Sequence, residues 1–174
     1  YIFLNLNKNR INKLLSFGGA YSNHLVALAK AGNLYDVKTI GIIRGKEWEK
    51  KYLFNPSLSF CKKNNMDLYF VSREEYRLYQ HGITSKKIIN SSSKLKIIGE
   101  GGKCKEAIKG CKEILTSCDK DFDTLCVSVG TGSTISGVIE SSSSNQFILG
   151  FLSLKYKKMK KEILKNKSRI NWKL

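Results

Sequence analysis

Proline is nearly absent from this 174-residue chain, with Pro56 its single example, and no apolar run approaches the ~18 to 20 residues that cross a bilayer. Collagen-like chains, Pro-rich linkers and a membrane-spanning helix are thereby excluded. Residues Tyr1 to Arg10 alternate apolar residues with Asn and Lys, and they lack the hydrophobic stretch and cleavage site of a secretory signal. Nor does the chain begin with Met. The five cysteines are odd in number and contain no C-x-x-C pair, which argues against a disulfide framework or a zinc ribbon and fits a reducing, cytoplasmic setting. Cys104, Cys111 and Cys118 recur every seventh residue and would share a face on one helix, but the closely spaced ligand pairs of a metal site are missing.

Acidic residues are scarce too: 14 against 31 basic ones, for a net charge of +17. Such an excess raises the idea of a nucleic-acid-binding module, because a basic face releases phosphate counterions. The excess is mostly Lys, accompanied by abundant Asn and Ile, as codon drift toward A and T produces, and about half of it lies in Phe151 to Leu174. A solvated Lys-rich helix accounts for that tail, so no nucleic-acid partner is expected; binding through Lys155 to Lys173 is the distant alternative. What remains is 41% apolar, enough for one ordinary core or two small ones.

Short β-branched runs alternate with helix-like segments, the pattern of parallel sheets covered by helices. Strands are expected at 13–17, 37–43, 67–71, 95–98, 125–129 and 147–152. Helices are expected at 22–31, 56–64, 74–79, 104–116, 135–141 and 157–165, with Pro56 in a first turn and Gly32 just past a helix end. Gly99-Glu100-Gly101-Gly102 interrupts the pattern and marks a crossover between two subdomains, residues 1–98 and 99–174.

Two glycine-marked turns each follow an expected strand and open an expected helix. In Phe17-Gly18-Gly19-Ala20-Tyr21-Ser22-Asn23-His24, the glycines permit unusual backbone angles and Ser22 or Asn23 can cap the helix. Left without a cap, that helix N-terminus offers N–H groups to an anion such as a carboxylate; plain capping is the competing reading. In Val129-Gly130-Thr131-Gly132-Ser133-Thr134, backbone N–H groups and hydroxyls form a cradle for a phosphate monoester, with a purely structural turn as the alternative. No Gly-Lys-Ser/Thr follows, as a Walker A loop requires, and Ile135 stands where a dinucleotide fingerprint has its third glycine.

Together, Leu15-Ser16-Phe17-Gly18-Gly19-Ala20-Tyr21-Ser22-Asn23-His24 and Val129-Gly130-Thr131-Gly132-Ser133-Thr134 resemble the pyridoxal-phosphate enzymes that include 1-aminocyclopropane-1-carboxylate deaminase and D-cysteine desulfhydrase. Thr39 to Gly45, Glu100-Gly101-Gly102 and Lys109 to Leu115 read like segments of that family in the same order, so the resemblance spans nearly the whole chain. His24 leans toward the desulfhydrase branch, since deaminase members commonly carry Gln there.

The resemblance implies an α/β fold of open twisted parallel sheets with flanking helices, tryptophan synthase β-like (fold type II), present as a truncated part of two domains. It also implies that Asn23 bonds the ring oxygen of pyridoxal 5'-phosphate and that Ser22, Asn23 and His24 hold the carboxylate of a small amino-acid substrate. Ser22 would act next to the reacting carbon, and Gly130, Thr131, Gly132, Ser133 and Thr134 would hold the cofactor phosphate, the two turns converging on one adduct. No metal is implied, and a homodimer is expected of the full-length relative. By register, the family's Schiff-base lysine lies in an Asn-Lys-x-Arg-Lys stretch just ahead of Tyr1, and Lys8 and Lys13 do not replace it. The residues as given are therefore expected to be inactive alone, and a degenerate, non-catalytic remnant is the alternative reading.

Overall fold

The computed structural model describes residues 11–80, 94–153, 163 and 171–174, and these divide into two compact units that meet in sequence between Gly102 and Lys103. In the first unit, strands β1 (Lys13–Gly19), β2 (Lys38–Arg44), β3 (Asp67–Val71) and β4 (Leu95–Ile97) form one sheet in the order β3-β2-β1-β4. Every pairing is parallel, with Lys13 opposite Lys38 and Gly19 opposite Arg44. Helices α1 (Asn23–Leu34), α2 (Pro56–Lys63) and α3 (Arg73–Gln80) supply the crossovers.

Because β1 and β2 lie inside the sheet, both of their faces are covered, and each carries five consecutive buried residues rather than an alternating pattern. Leu14 and Ile43 pack with Leu25, Leu28 and Ala29 of α1 and Leu58 and Cys61 of α2. Leu15, Phe17, Ile40 and Ile42 turn the opposite way and meet Val71 and Tyr76. Each of these fully buried Leu and Ile side chains stabilises the fold by roughly 1.5–3 kcal/mol relative to exposure. Asn55 caps α2 through its side chain, accepting from Leu58 N at 2.9 Å, with Pro56 in the first turn as expected.

The second unit is a parallel sheet of β5 (Thr124–Val129), β6 (Phe147–Leu152) and β7 (Trp172–Lys173) in that order, with helices α4 (Lys105–Cys111) and α5 (Ser133–Ser141). Val129, Ile135, Val138, Ile139, Ile148, Ile163 and Trp172 form its core. Gly137 lets the α4 backbone approach α5 closely, since a Cβ there would lie 2.6 Å from the carbonyl carbon of Cys111.

Helix α4 is shorter than the 104–116 expected. Cys104 is its cap, with Sγ accepting from Ala107 N at 3.4 Å, Gly110 weakens its last turn, and Thr116 with Asp119 opens a separate 3-10 turn over Ser117–Asp121. Cys104, Cys111 and Cys118 therefore do not share one helix face. Strand β7 was not foreseen. The helix expected at 157–165 lies outside the described residues except for Ile163. Among the described residues, no helix is long and apolar enough to cross a membrane.

Candidate functional site

Both glycine-marked turns lie at the carboxyl ends of parallel strands, the edge where open α/β sheets bind ligands. The first leaves β1 at Gly19 and enters α1 at Asn23. Its turn folds back on the strand so tightly that a Cβ on Gly18 would lie 2.6 Å from Ser22 Oγ, which explains glycine there. Ser22 is the N-cap, its hydroxyl accepting from Leu25 N at 3.3 Å. The cap is thus closed, as in the plain reading, but it takes only one N–H. Those of Asn23 and His24 meet no acceptor among the described residues, and the Asn23 side chain is exposed.

The His24 ring turns inward. Its Nε2 lies 2.8 Å from Ser16 Oγ, on the buried middle of β1, and that hydroxyl also lies 3.0 Å from Ile98 O. A carbonyl only accepts, so Ser16 donates to Ile98 and the imidazole donates to Ser16, which fixes the Nε2–H tautomer. Burial holds the His24 pKa below its ordinary value, favouring this neutral ring. His24 therefore braces the turn against β1 and, through Ser16, against Ile98 just past β4, and what it presents outward is its backbone N–H. Sequence reasoning missed this partner because Ser16 sits inside an apolar run.

The second turn leaves β5 at Val129 and enters α5 at Ser133. Gly132 occupies the N-cap position at φ 89°, a left-handed conformation that favours glycine, and it supplies no capping side chain. The first three N–H groups of α5, from Ser133, Thr134 and Ile135, meet no acceptor among the described residues. Ser133 is 7% exposed, and its Oγ is buried without a hydrogen-bond partner. A buried hydroxyl with no partner costs about 1–3 kcal/mol, a penalty that a bound hydrogen-bonding group would relieve. A small cavity of about 80 Å³ opens at this point, lined by Thr131, Gly132, Ser133, Ser136 and, from outside the motif, Lys103 and Ile108. Gly130 is exposed with open space where a side chain would be, and Thr134 is exposed. N–H groups, a positive helix end and a waiting hydroxyl suit a phosphate monoester, so these residues fit the phosphate of pyridoxal 5'-phosphate.

No family model matches the chain, and no curated protein matches its sequence. Solved structures do match. An ACC deaminase homologue superposes with a TM-score of 0.72 at 19% identity, over 94% of this chain and 52% of that one. A threonine deaminase from T.th. matches with a TM-score of 0.62 at 15% identity, over 84% and 47%. Maize serine racemase matches with a TM-score of 0.62 at 18% identity, over 83% and 42%. The fold is that of the fold-type II pyridoxal-phosphate enzymes. The chain spans about half the length of the solved chains it matches. Within this fold-type II framework, Lys13 begins β1 at the end opposite the Gly18–Ser22 turn, while Lys8 lies outside the described residues.

Proposed function

We infer that the chain is part of a pyridoxal 5'-phosphate-dependent deaminase or desulfhydrase of a small amino acid. Its substrate is 1-aminocyclopropane-1-carboxylate or D-cysteine, yielding ammonia and a 2-oxo acid, with sulfide as well from D-cysteine. The observation that carries this reading is the unpartnered, buried Ser133 hydroxyl at the uncapped N-terminus of α5, on a fold shared with an ACC deaminase homologue.

Thr131, Gly132, Ser133 and Thr134 would hold the cofactor phosphate through backbone N–H groups and hydroxyls, with Gly130 adding no side chain that would crowd the turn. The bound cofactor supplies an electron sink for charge developing at the substrate α-carbon. Asn23 offers its side-chain amide to the cofactor ring oxygen. The Asn23 and His24 N–H groups hold the substrate carboxylate at the positive end of α1. Ser22 Oγ accepts the capping bond from Leu25 and so retains its own proton to donate beside the reacting carbon. His24 supports this turn through Ser16, a positioning role. A cytoplasmic homodimer is the matching assembly.

The test is to express the protein with the Asn-Lys-x-Arg-Lys stretch that the resemblance places ahead of Tyr1, dialyse it against pyridoxal 5'-phosphate, and assay both amino acids for ammonia and 2-oxo acid. Retained cofactor and turnover of either substrate are expected. Failure to retain the cofactor would refute the reading in favour of a non-catalytic remnant.

A further inference from the structure

The first unit holds a further concave site, which Gly19, Ala20 and Tyr21 of the first turn border but which takes its charged groups from other elements. A cavity of about 590 Å³ opens at the carboxyl edge of its sheet. Three guanidinium groups line it: Arg44 at the end of β2, and Arg73 and Arg77 one turn apart on α3. Glu47 is the single carboxylate in the lining. Among the described residues, none of the three arginines has a carboxylate within ion-pairing distance.

Local electrostatics disfavours the placement of Arg73. Arg73 begins α3, where the helix dipole prefers an anion, and Arg73 with Arg77 forms a like-charged i,i+4 pair. The Ser72 side chain already accepts from Glu75 N, so the helix end has its cap and does not need an arginine there. Arg44 lies 5.4 Å from the centre of the Tyr76 ring. Tyr76 is 1% exposed and donates its hydroxyl proton to Glu100 Oε1 at 2.7 Å, so Arg44 rests on a fixed platform. Tyr21 and Trp48, also in the lining, stand edge to face at 5.7 Å, and Tyr21 is 68% exposed. Three cations around one cavity, without a paired carboxylate among the described residues and one of them placed against the helix dipole, mark a place where the sequence favours an anionic ligand.

We propose that this arginine cleft binds a phosphorylated small molecule, its phosphoryl oxygens taken by Arg44, Arg73 and Arg77 and its organic part lying against Tyr21 and Trp48. The fork of a guanidinium pairs with phosphoryl oxygens two at a time, and three forks around one cavity match a dianion better than a single charge. The cleft is lined by residues of the first unit and the Thr131–Thr134 cradle belongs to the second, so the inference stands whether or not that cradle holds pyridoxal phosphate.

The experiment titrates phenyl phosphate into the full chain by calorimetry in a Ser133→Ala background, which weakens the cradle at least 10-fold, with sodium chloride holding ionic strength constant. One remaining site is expected. Its affinity should fall at least 10-fold with Arg73→Gln/Arg77→Gln, a double substitution at exposed positions that relieves like-charge repulsion and leaves the thermal midpoint equal or higher. Arg77→Gln alone should give an intermediate loss. Loss of all binding in the Ser133→Ala background, or unchanged affinity in the arginine variants, would overturn the proposal. So would equally tight binding of benzoate, since a monoanion would then suffice.

Discussion

Replacing Ser133 with Ala separates the stability of the chain from its capacity to hold a phosphate. In the free chain the Ser133 hydroxyl is buried, has no hydrogen-bond partner, and stands at a helix end where Gly132 provides no side-chain cap. Removing an unsatisfied buried hydroxyl removes a desolvation penalty of about 1–3 kcal/mol, and Ala is also the better helix former. Ser133→Ala should therefore stabilise the free chain by about 1–2 kcal/mol, read as a higher urea midpoint with an unchanged slope. With phosphate bound, the same hydroxyl makes a charge-assisted hydrogen bond contributing about 1.5–3 kcal/mol. Affinity for pyridoxal 5'-phosphate should accordingly fall by about 10- to 100-fold, since each 1.4 kcal/mol is tenfold. Urea unfolding monitored by circular dichroism, with and without the cofactor, measures both quantities. A variant that is less stable when free and binds as tightly as its parent would refute the reasoning, because the hydroxyl would then be an internal structural element.

Other changes test the framework around the site. Gly137→Ala gains about 1 kcal/mol of helix propensity, yet it drives a Cβ to 2.3 Å from Cys111 Cβ and 2.6 Å from its carbonyl carbon, so a net loss of about 2 kcal/mol is expected in denaturant titration. For His24, the buried neutral ring has its pKa lowered, so the unfolded chain takes up the proton first as pH falls. Stability should be fully present above about pH 6.5 and should decline below it until the folded ring titrates. His24→Gln, which keeps a donor for Ser16, should flatten this part of the stability profile. Burial pushes the Cys61 thiol up to about 11, whereas Cys118 and Cys126 are exposed. Iodoacetamide at pH 8 should label Cys118 and Cys126 within minutes and spare Cys61 until the chain unfolds, as peptide mapping would show.

The sheets were legible in the sequence because interior parallel strands are buried on both faces, so Leu14 to Phe17 and Ile40 to Ile43 stand out as continuous β-rich runs. Strand β7 was not legible, since two residues beside a Lys-rich stretch make no periodic pattern; its place is set by pairing Trp172 with Ile148. The end of α4 was missed because the apolar spacing of Ile108, Cys111 and Leu115 continues past Cys111, while Gly110 and the Thr116–Asp119 capping pair break the backbone. The arginine cleft was invisible for a different reason. Arg44, Arg73 and Arg77 come from two elements that only the β1-β2-β3 order brings to one edge.

The two turns have the same sequence logic, strand, glycines, hydroxyl and helix, but the structure treats their polar side chains in opposite ways. In the first, Ser22 caps α1 and His24 bonds Ser16, so the groups left for a ligand are mainly backbone N–H groups and the exposed Asn23 amide. In the second, Gly132 takes the cap position and leaves Ser133 without a partner. Backbone donors recognise any anion of suitable size, whereas a buried hydroxyl is costly unless its own ligand arrives. It follows that the first turn should tolerate conservative exchange of side chains that brace it, while the second should not tolerate loss of Ser133 without losing phosphate. A matched pair, His24→Gln and Ser133→Ala, decides this: cofactor affinity unchanged in the first and reduced at least 10-fold in the second is the expected result. Equal losses in both would mean that His24 acts on the ligand directly rather than through Ser16.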